Sequence, residues 1–198
     1  MTKALLIVDV QNDFLPGGTL AVPQGDEIIP IINDLQKALS CVLATKDWHP
    51  PNHISFASSH GKKPGEIIEV QGIKQELWPD HCIQGMEGAE FAPALRKDKI
   101  DQVFFKGINP LIDSYSAFYD NAHIRSTGLR ESLDSLNVNE IYIVGLATDY
   151  CVKYSVLDAA KLGLNIYVIL DGCRGIDLKS GDIERAIEEM KAAGAHLI

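Results

Sequence analysis

An α/β fold with a mostly parallel sheet covered on both faces is what the chain's pattern predicts. Three observations carry that expectation. Short, nearly continuous apolar runs recur along the sequence, amphipathic stretches at helical spacing separate them, and acidic, basic or thiol side chains stand at or just beyond the ends of four of the runs. In chain order, "ALLIVDV", "CVLAT", "QVFFK", "IYIVGL" and "NIYVIL" read as buried strands, and the terminal "AHLI" is a weaker candidate. Between the first two, Ile28, Ile32, Leu35 and Leu39 recur at helical spacing after Asp26, which is placed to serve as N-cap. Leu129, Leu133 and Leu136 repeat the pattern after Thr127, and "YSVLDAAKLG" closes with Gly163 at a helix C′ position. Ile183, Ala186, Ile187 and Met190 form a last amphipathic stretch. The segment from about Pro50 to Asp101 shows little periodicity and is rich in Gly, Pro and His. A connection that long is expected to be functional or disordered, and its Trp and His content favours function.

A chain of 198 residues with 46% hydrophobic content can bury one sizeable core, so a single domain over residues 1–198 is expected. The formal net charge of -9, with no Lys/Arg run, argues against nucleic acid and against an anionic membrane surface as partners. A small neutral or cationic ligand fits that balance better. No segment approaches the roughly 20 apolar residues that span a bilayer. The opening "MTKALLIVDV" turns acidic at Asp9 where a signal peptide would stay apolar, so a cytoplasmic protein is expected. Cys41, Cys82, Cys151 and Cys173 are widely spaced without a CxxC, which suggests neither a thiolate zinc ribbon nor a disulfide framework. Oligomeric state is left open, a homo-oligomer included.

The chemistry gathers at strand ends. Asp9 follows "LLIV", Asp47 follows "CVLAT", Lys106 follows "VFF", and the turn leading to Cys151 follows "IYIVGL". Ligands of open α/β sheets bind outside the carboxyl ends of the strands, where strand order reverses, so these four side chains are expected to share one crevice. Each residue alone has an ordinary structural use; their joint placement is what points to chemistry. A thiol at a helix start gains from the macrodipole and free N–H groups, and a nearby lysine would lower its pKa further. Asp9 is then the candidate base, Lys106 the charge that holds acid and thiolate together, and the N–H groups of Ala147 and Cys151 a candidate oxyanion hole. A second constellation lies in "KDWHPPNHISF", where Asp47 and His49 at i and i+2 face the same side of an extended strand. His81 in "WPDHC" is the preferred third ligand and His53 the reserve; such a set suits zinc, iron or manganese.

The ordered runs "LLIVDVQNDFLPGGTLAVP", "TKDWHPPNHISF", "WPDHCIQGMEGAEF", "FFKGINPLIDSYSAF" and "GLATDYCVKYSVLDAAKLG" closely resemble nicotinamidases, also called pyrazinamidases, of the isochorismatase-like cysteine hydrolase superfamily. The resemblance implies a Rossmann-like three-layer α/β/α fold whose six-stranded, mostly parallel sheet has the order 3-2-1-4-5-6. It places Asp9, Lys106 and Cys151 at the family's catalytic triad positions, and Asp47, His49 and His81 at its metal positions. His53 matches a further histidine that ligates in some members. Phe14 and Trp78 match the aromatic residues that sandwich a pyridine ring, Tyr115 a pocket-wall residue, and the Leu146–Ala147 bond a cis peptide that turns the Ala147 amide into the oxyanion hole. The implied activity is hydrolysis of nicotinamide, and of pyrazinamide, to the acid and ammonia through a Cys151 thioester, in the salvage of pyridine nucleotides. Hydrolysis of another small amide or of isochorismate, and a catalytically silent binding protein of the same fold, are the alternatives.

Overall fold

The computed structural model describes residues 2–70 and 72–198. Its strands in chain order are β1 (Thr2–Val8), β2 (Val42–Asp47), β3 (Ile67–Val70), β4 (Ile73–Glu76), β5 (Gln102–Lys106), β6 (Val138–Leu146), β7 (Asn165–Arg174) and β8 (His196–Leu197). The helices are α1 (Ile28–Ala38), α2 (Leu129–Ser135), α3 (Lys153–Lys161) and α4 (Asp182–Ala192). Six strands form one sheet in the order β5-β2-β1-β6-β7-β8, every neighbouring pair parallel. Numbered along the chain, those strands run 3-2-1-4-5-6, as the resemblance implies.

The apolar runs occupy this sheet because both of its faces are covered. Ala4, Leu6 and Val8 of β1 join a core with Leu129 and Leu133 of α2, Val156 and Ala159 of α3 and Met190 of α4. Leu5 and Ile7, pointing the opposite way, join Ile28, Ile29 and Ile32 of α1. Alternate residues of one strand thus feed two cores, which is why the strand shows no polar alternation. Truncating a side chain such as Ile7, with no exposed surface, to alanine would cost about 2–5 kcal/mol.

Helix boundaries follow the sequence with three departures, one of which is that α1 stops at Ala38 and leaves Leu39 just outside it. Asp26 is not an N-cap: it lies inside a short 3-10 turn, Gly25–Glu27, that runs straight into α1, and no side chain caps that helix. Helix α2 stops at Ser135, so Leu136 falls just outside it and is partly exposed. Gly163 does close α3. Its φ is +74°, its N–H donates to the Ala160 carbonyl, and the Leu164 N–H donates to that of Ala159, a Schellman arrangement. The long segment after β2 also differs from expectation, because it contains an antiparallel hairpin of β3 and β4, separate from the main sheet. Short strands with mixed exposure leave little periodic trace.

What matters for function is where the strands end. Strand β1 sits between β2 and β6, at the point where the connections diverge to either side. Asp9 follows β1 directly, Asp47 and Lys106 are the last residues of β2 and β5 and pair in register, and the turn after β6 leads to Cys151.

Candidate active site

Lys106 is the hub of this crevice. Its side chain is fully buried, and its ammonium lies 2.8 Å from Asp9 Oδ2 and in close contact with Asp47 Oδ1. The same Nζ donates to the Ser114 carbonyl at 3.1 Å and to Cys151 Sγ at 3.3 Å. Asp9 Oδ1 accepts the hydroxyl of Thr45 at 2.7 Å. Asp9 Oδ2 is held by the ammonium in that ion pair. One Asp9 oxygen, one Asp47 oxygen and the Cys151 sulfur all lie within 4.8 Å of one another. The structure therefore brings Asp9, Lys106 and Cys151 together.

Ionisation in this cluster departs from the sequence reading at one point. Burial pushes the Cys151 thiol well above its ordinary value, the Asp9 and Asp47 charges add to the rise, and the pull of Lys106 does not overcome them. The expectation of a thiol pKa lowered by a helix start and a lysine is corrected. Two carboxylates share the lysine, so its charge is already compensated when the sulfur meets it. Burial likewise lifts the Asp9 carboxyl above the usual range, against Lys106. Burial would do the same to Asp47, but Lys106, then His49 and His81, outweigh it and hold that carboxyl well below the ordinary value.

Cys151 also sits differently from a simple helix start. Thr148–Val152 form a π-helical turn that precedes α3, a local form that recurs at functional sites. Within it the N–H groups of Tyr150 and Val152 both donate to the Ala147 carbonyl, at 3.1 and 3.0 Å. Asp149 pins the turn by accepting from the amides of Ile176 and Asp177 at 3.0 and 2.8 Å. The Leu146–Ala147 peptide is cis.

Beside this cluster, Asp47, His49 and His81 converge. His49 Nε2 lies 3.6 Å and His81 Nε2 3.9 Å from Asp47 Oδ2, and the three ligand atoms fall within 4.8 Å of one another. His49 Nδ1 is 3.0 Å from the Gly107 carbonyl and His81 Nδ1 is 2.7 Å from that of Pro79. A ring nitrogen facing a carbonyl must carry the proton, so each ring, when neutral, turns its Nε2 lone pair to the shared centre; against burial, Asp47 lifts His49 above its ordinary value. Burial and then His49 hold His81 down to about 4, in the neutral form that ligates. Gly107 has φ +64°, and any Cβ there would meet the His49 ring. This donor set fits a divalent metal. His53 is arranged otherwise: its Nδ1 faces the Ser55 hydroxyl at 2.7 Å and its Nε2 the Asn109 carbonyl at 2.9 Å. Both nitrogens are engaged, and the ring stacks on His49 with centroids 4.2 Å apart.

A cleft of about 350 Å³, mouth included, opens above the sulfur. Phe14, Trp78 and Tyr115 line it together with Ala147, Cys151, Asp47 and His81. Trp78 Nε1 donates to the Tyr115 hydroxyl at 3.1 Å. Sequence reading missed several residues here. Thr45, which orients Asp9, lies two positions before Asp47 on the same side of β2, a signal the two-residue period could have supplied. Tyr150, Asp113, Leu20 and Ile176 also line the cleft, and nothing in their local sequence sets them apart.

Comparison with known proteins gives the family. Residues 3–198 match the family described as Isochorismatase domain. The chain is 50% identical to a nicotinamidase of Escherichia coli, over 98% of its own length and 93% of that protein. Among solved structures it is similar to an Acinetobacter baumanii nicotinamidase pyrazinamidase with a TM-score of 0.96 and 48% identity, covering 100% of this chain and 95% of the other. It is also similar to a pyrazinamidase of Pyrococcus horikoshii in complex with zinc, with a TM-score of 0.80, 38% identity, and coverage of 100% and 99%.

Proposed function

This chain belongs to the isochorismatase-domain family, and on that premise we propose that it is an amidohydrolase, one domain in extent, converting nicotinamide to nicotinate and ammonia through a thioester on Cys151. The observation that carries the reading is the single ammonium of Lys106 in contact with Asp9, Asp47 and the Cys151 sulfur at once. The flat apolar walls of Phe14 and Trp78 suit a heteroaromatic ring, and pyrazinamide has the same shape.

The raised thiol sets the order of events. Cys151 rests as a thiol, and as its sulfur attacks the carboxamide carbon its proton passes to the neighbouring Asp9 carboxylate. Lys106 balances the charge while the proton moves, so no free thiolate need be held in a buried site. The oxyanion is received by the N–H groups of Ala147 and Cys151. Asp9 then gives its proton to the amide nitrogen, the C–N bond breaks and ammonia departs. A water molecule attacks the thioester with Asp9 again taking its proton, the C–S bond breaks as Asp9 returns that proton to the sulfur, and the acid leaves as nicotinate after releasing its own proton to solvent. Asp47, His49 and His81 would hold a divalent metal, taken as zinc, which when bound supplies a Lewis-acid anchor for the ring nitrogen and so orients the carboxamide over the sulfur. Among the described residues no helix is long and apolar enough to cross a membrane. In line with the family resemblance, we assign the activity to the cytoplasm and to pyridine nucleotide salvage.

Ammonia release from nicotinamide, with and without a chelator, tests the reading. Cys151→Ala should abolish turnover while metal content is unchanged, and an acyl adduct on Cys151 should be trapped by rapid quenching and mass spectrometry. Substantial turnover by Cys151→Ala would overturn the covalent route.

A further inference from the structure

Three consecutive residues after β1, Gln11, Asn12 and Asp13, take no part in the chemistry above, yet each reaches far through space. Gln11 is fully buried. Its side-chain amide grips the backbone of Asp47 in both senses: Oε1 accepts the Asp47 N–H at 2.8 Å, and Nε2 donates to the Asp47 carbonyl at 2.7 Å. The second hydrogen of Nε2 goes to the Ala89 carbonyl at 2.8 Å. The location explains the need. Strand β1 pairs with β2 only as far as Ala44, so by Asp47 the side of β2 that faced β1 has lost its partner strand. A glutamine side chain carries the same donor and acceptor as a peptide group, and here it continues the ladder by which the sheet holds its strands.

Asp13 acts on the other side of the ligand cluster. Its Oδ2 accepts the N–H of Cys82, the residue after His81, at 2.7 Å, and its Oδ1 accepts the Thr19 N–H at 3.4 Å. Cys82 has φ +46°, a left-handed conformation that a non-glycine residue seldom adopts unaided. The Cys82 carbonyl in turn accepts the His49 N–H at 3.0 Å, so this turn links two of the three ligands. A Cβ at Gly88 would fall on the Asp13 carboxylate, so the loop bearing His81 packs against that group as well as bonding to it. Asn12 ties the same loop through the Glu87 carbonyl at 2.8 Å.

We propose that Gln11 and Asp13 are positioning residues for the metal-ligand cluster, Gln11 by fixing the backbone of Asp47 past the end of β1 and Asp13 by fixing the turn that presents His81. The inference rests on the reading that Asp47, His49 and His81 hold a metal. Groups that orient metal ligands commonly change affinity by about 10- to 100-fold when removed.

The test is the zinc dissociation constant of the full chain, stripped of metal and titrated with zinc against a chromophoric chelator. Wild type is compared with Gln11→Met, Asp13→Ala and Asp13→Asn, with folding checked by circular dichroism. Gln11→Met and Asp13→Ala should each weaken zinc by about tenfold or more. Asp13→Asn, which keeps an acceptor oxygen toward Cys82, should recover most of the loss. In steady state, KM for nicotinamide should rise by a larger factor than kcat falls. A folded Asp13→Ala that binds zinc as wild type does overturns the proposal, as does an Asp13→Asn no better than the alanine variant. If Gln11→Met fails to fold, the Asp13 pair decides. Wild type that binds no zinc would sink the metal reading itself, and the positioning role with it, an outcome distinct from variants that match a zinc-binding wild type.

Discussion

Replacing Lys106 with methionine keeps the length of the buried stem and removes its charge. Asp9 and Asp47 are then left at 0% and 5% exposure without the ammonium that contacts both. Removing one partner of a buried ion pair costs about 3–5 kcal/mol, since the remaining charge has neither water nor counterion. For a chain of this size each kcal/mol lowers the melting temperature by about 2–4 °C, so the deficit should be about 6–20 °C at neutral pH. Its pH dependence distinguishes buried charge from lost packing. In wild type Lys106 holds Asp47 below the ordinary carboxylate range, so the stability Asp47 contributes is present at neutral pH and is lost as pH falls through its folded pKa. Without Lys106, burial should lift Asp47 to join Asp9, which is already raised. A group whose folded pKa is raised stabilises at low pH and loses that contribution as pH rises through the folded value. The deficit of Lys106→Met should therefore shrink on acidification from about pH 8 to about pH 5, by at most about 1.4 kcal/mol per pH unit for each carboxyl involved. Calorimetric melts in chelator, which keeps metal from substituting for the lost cation, measure it. A deficit constant across that range, or none, refutes the reasoning.

Thr45→Val removes the 2.7 Å hydroxyl bond to Asp9 at nearly constant volume; a bond to a charged group is worth about 1.5 kcal/mol or more, so kcat should fall roughly tenfold with KM little changed. An unaltered kcat would mean that Asp9 is oriented by other contacts. Gly107→Ala should destabilise the fold by about 1–2 kcal/mol through its left-handed backbone and also reduce bound metal, because the new Cβ meets His49; thermal melts and elemental analysis read the two effects separately. Alkylation of Cys151 by iodoacetamide, followed by peptide mapping, should still be accelerating above about pH 9, since burial and two carboxylates keep the thiol protonated. Labelling at a constant rate from about pH 5 to pH 8 would instead reveal a preformed thiolate.

Much of the molecule was legible in one dimension. Strands buried on both faces must be apolar at every position, so "ALLIVDV" and "IYIVGL" announce themselves, and the first polar residue at or beyond each strand end marks the rim where a parallel sheet gathers its chemistry. The motif resemblance added strand order. The hairpin of β3 and β4 left no such trace, because it is short and half exposed and its side chains answer to no regular period. The state of each site group was likewise beyond the sequence. Whether Cys151 rests as thiol or thiolate depends on how many carboxylates share one lysine, and those carboxylates come from β2 and the end of β1. What the His53 ring faces depends on a carbonyl at Asn109, 56 residues away. Residue types and spacing thus determined which groups could react and that they would meet at one sheet edge. Protonation and the clasp of Gln11 on Asp47 were decided only by the folded chain, because desolvation, Coulomb forces and hydrogen bonds depend on distance through space.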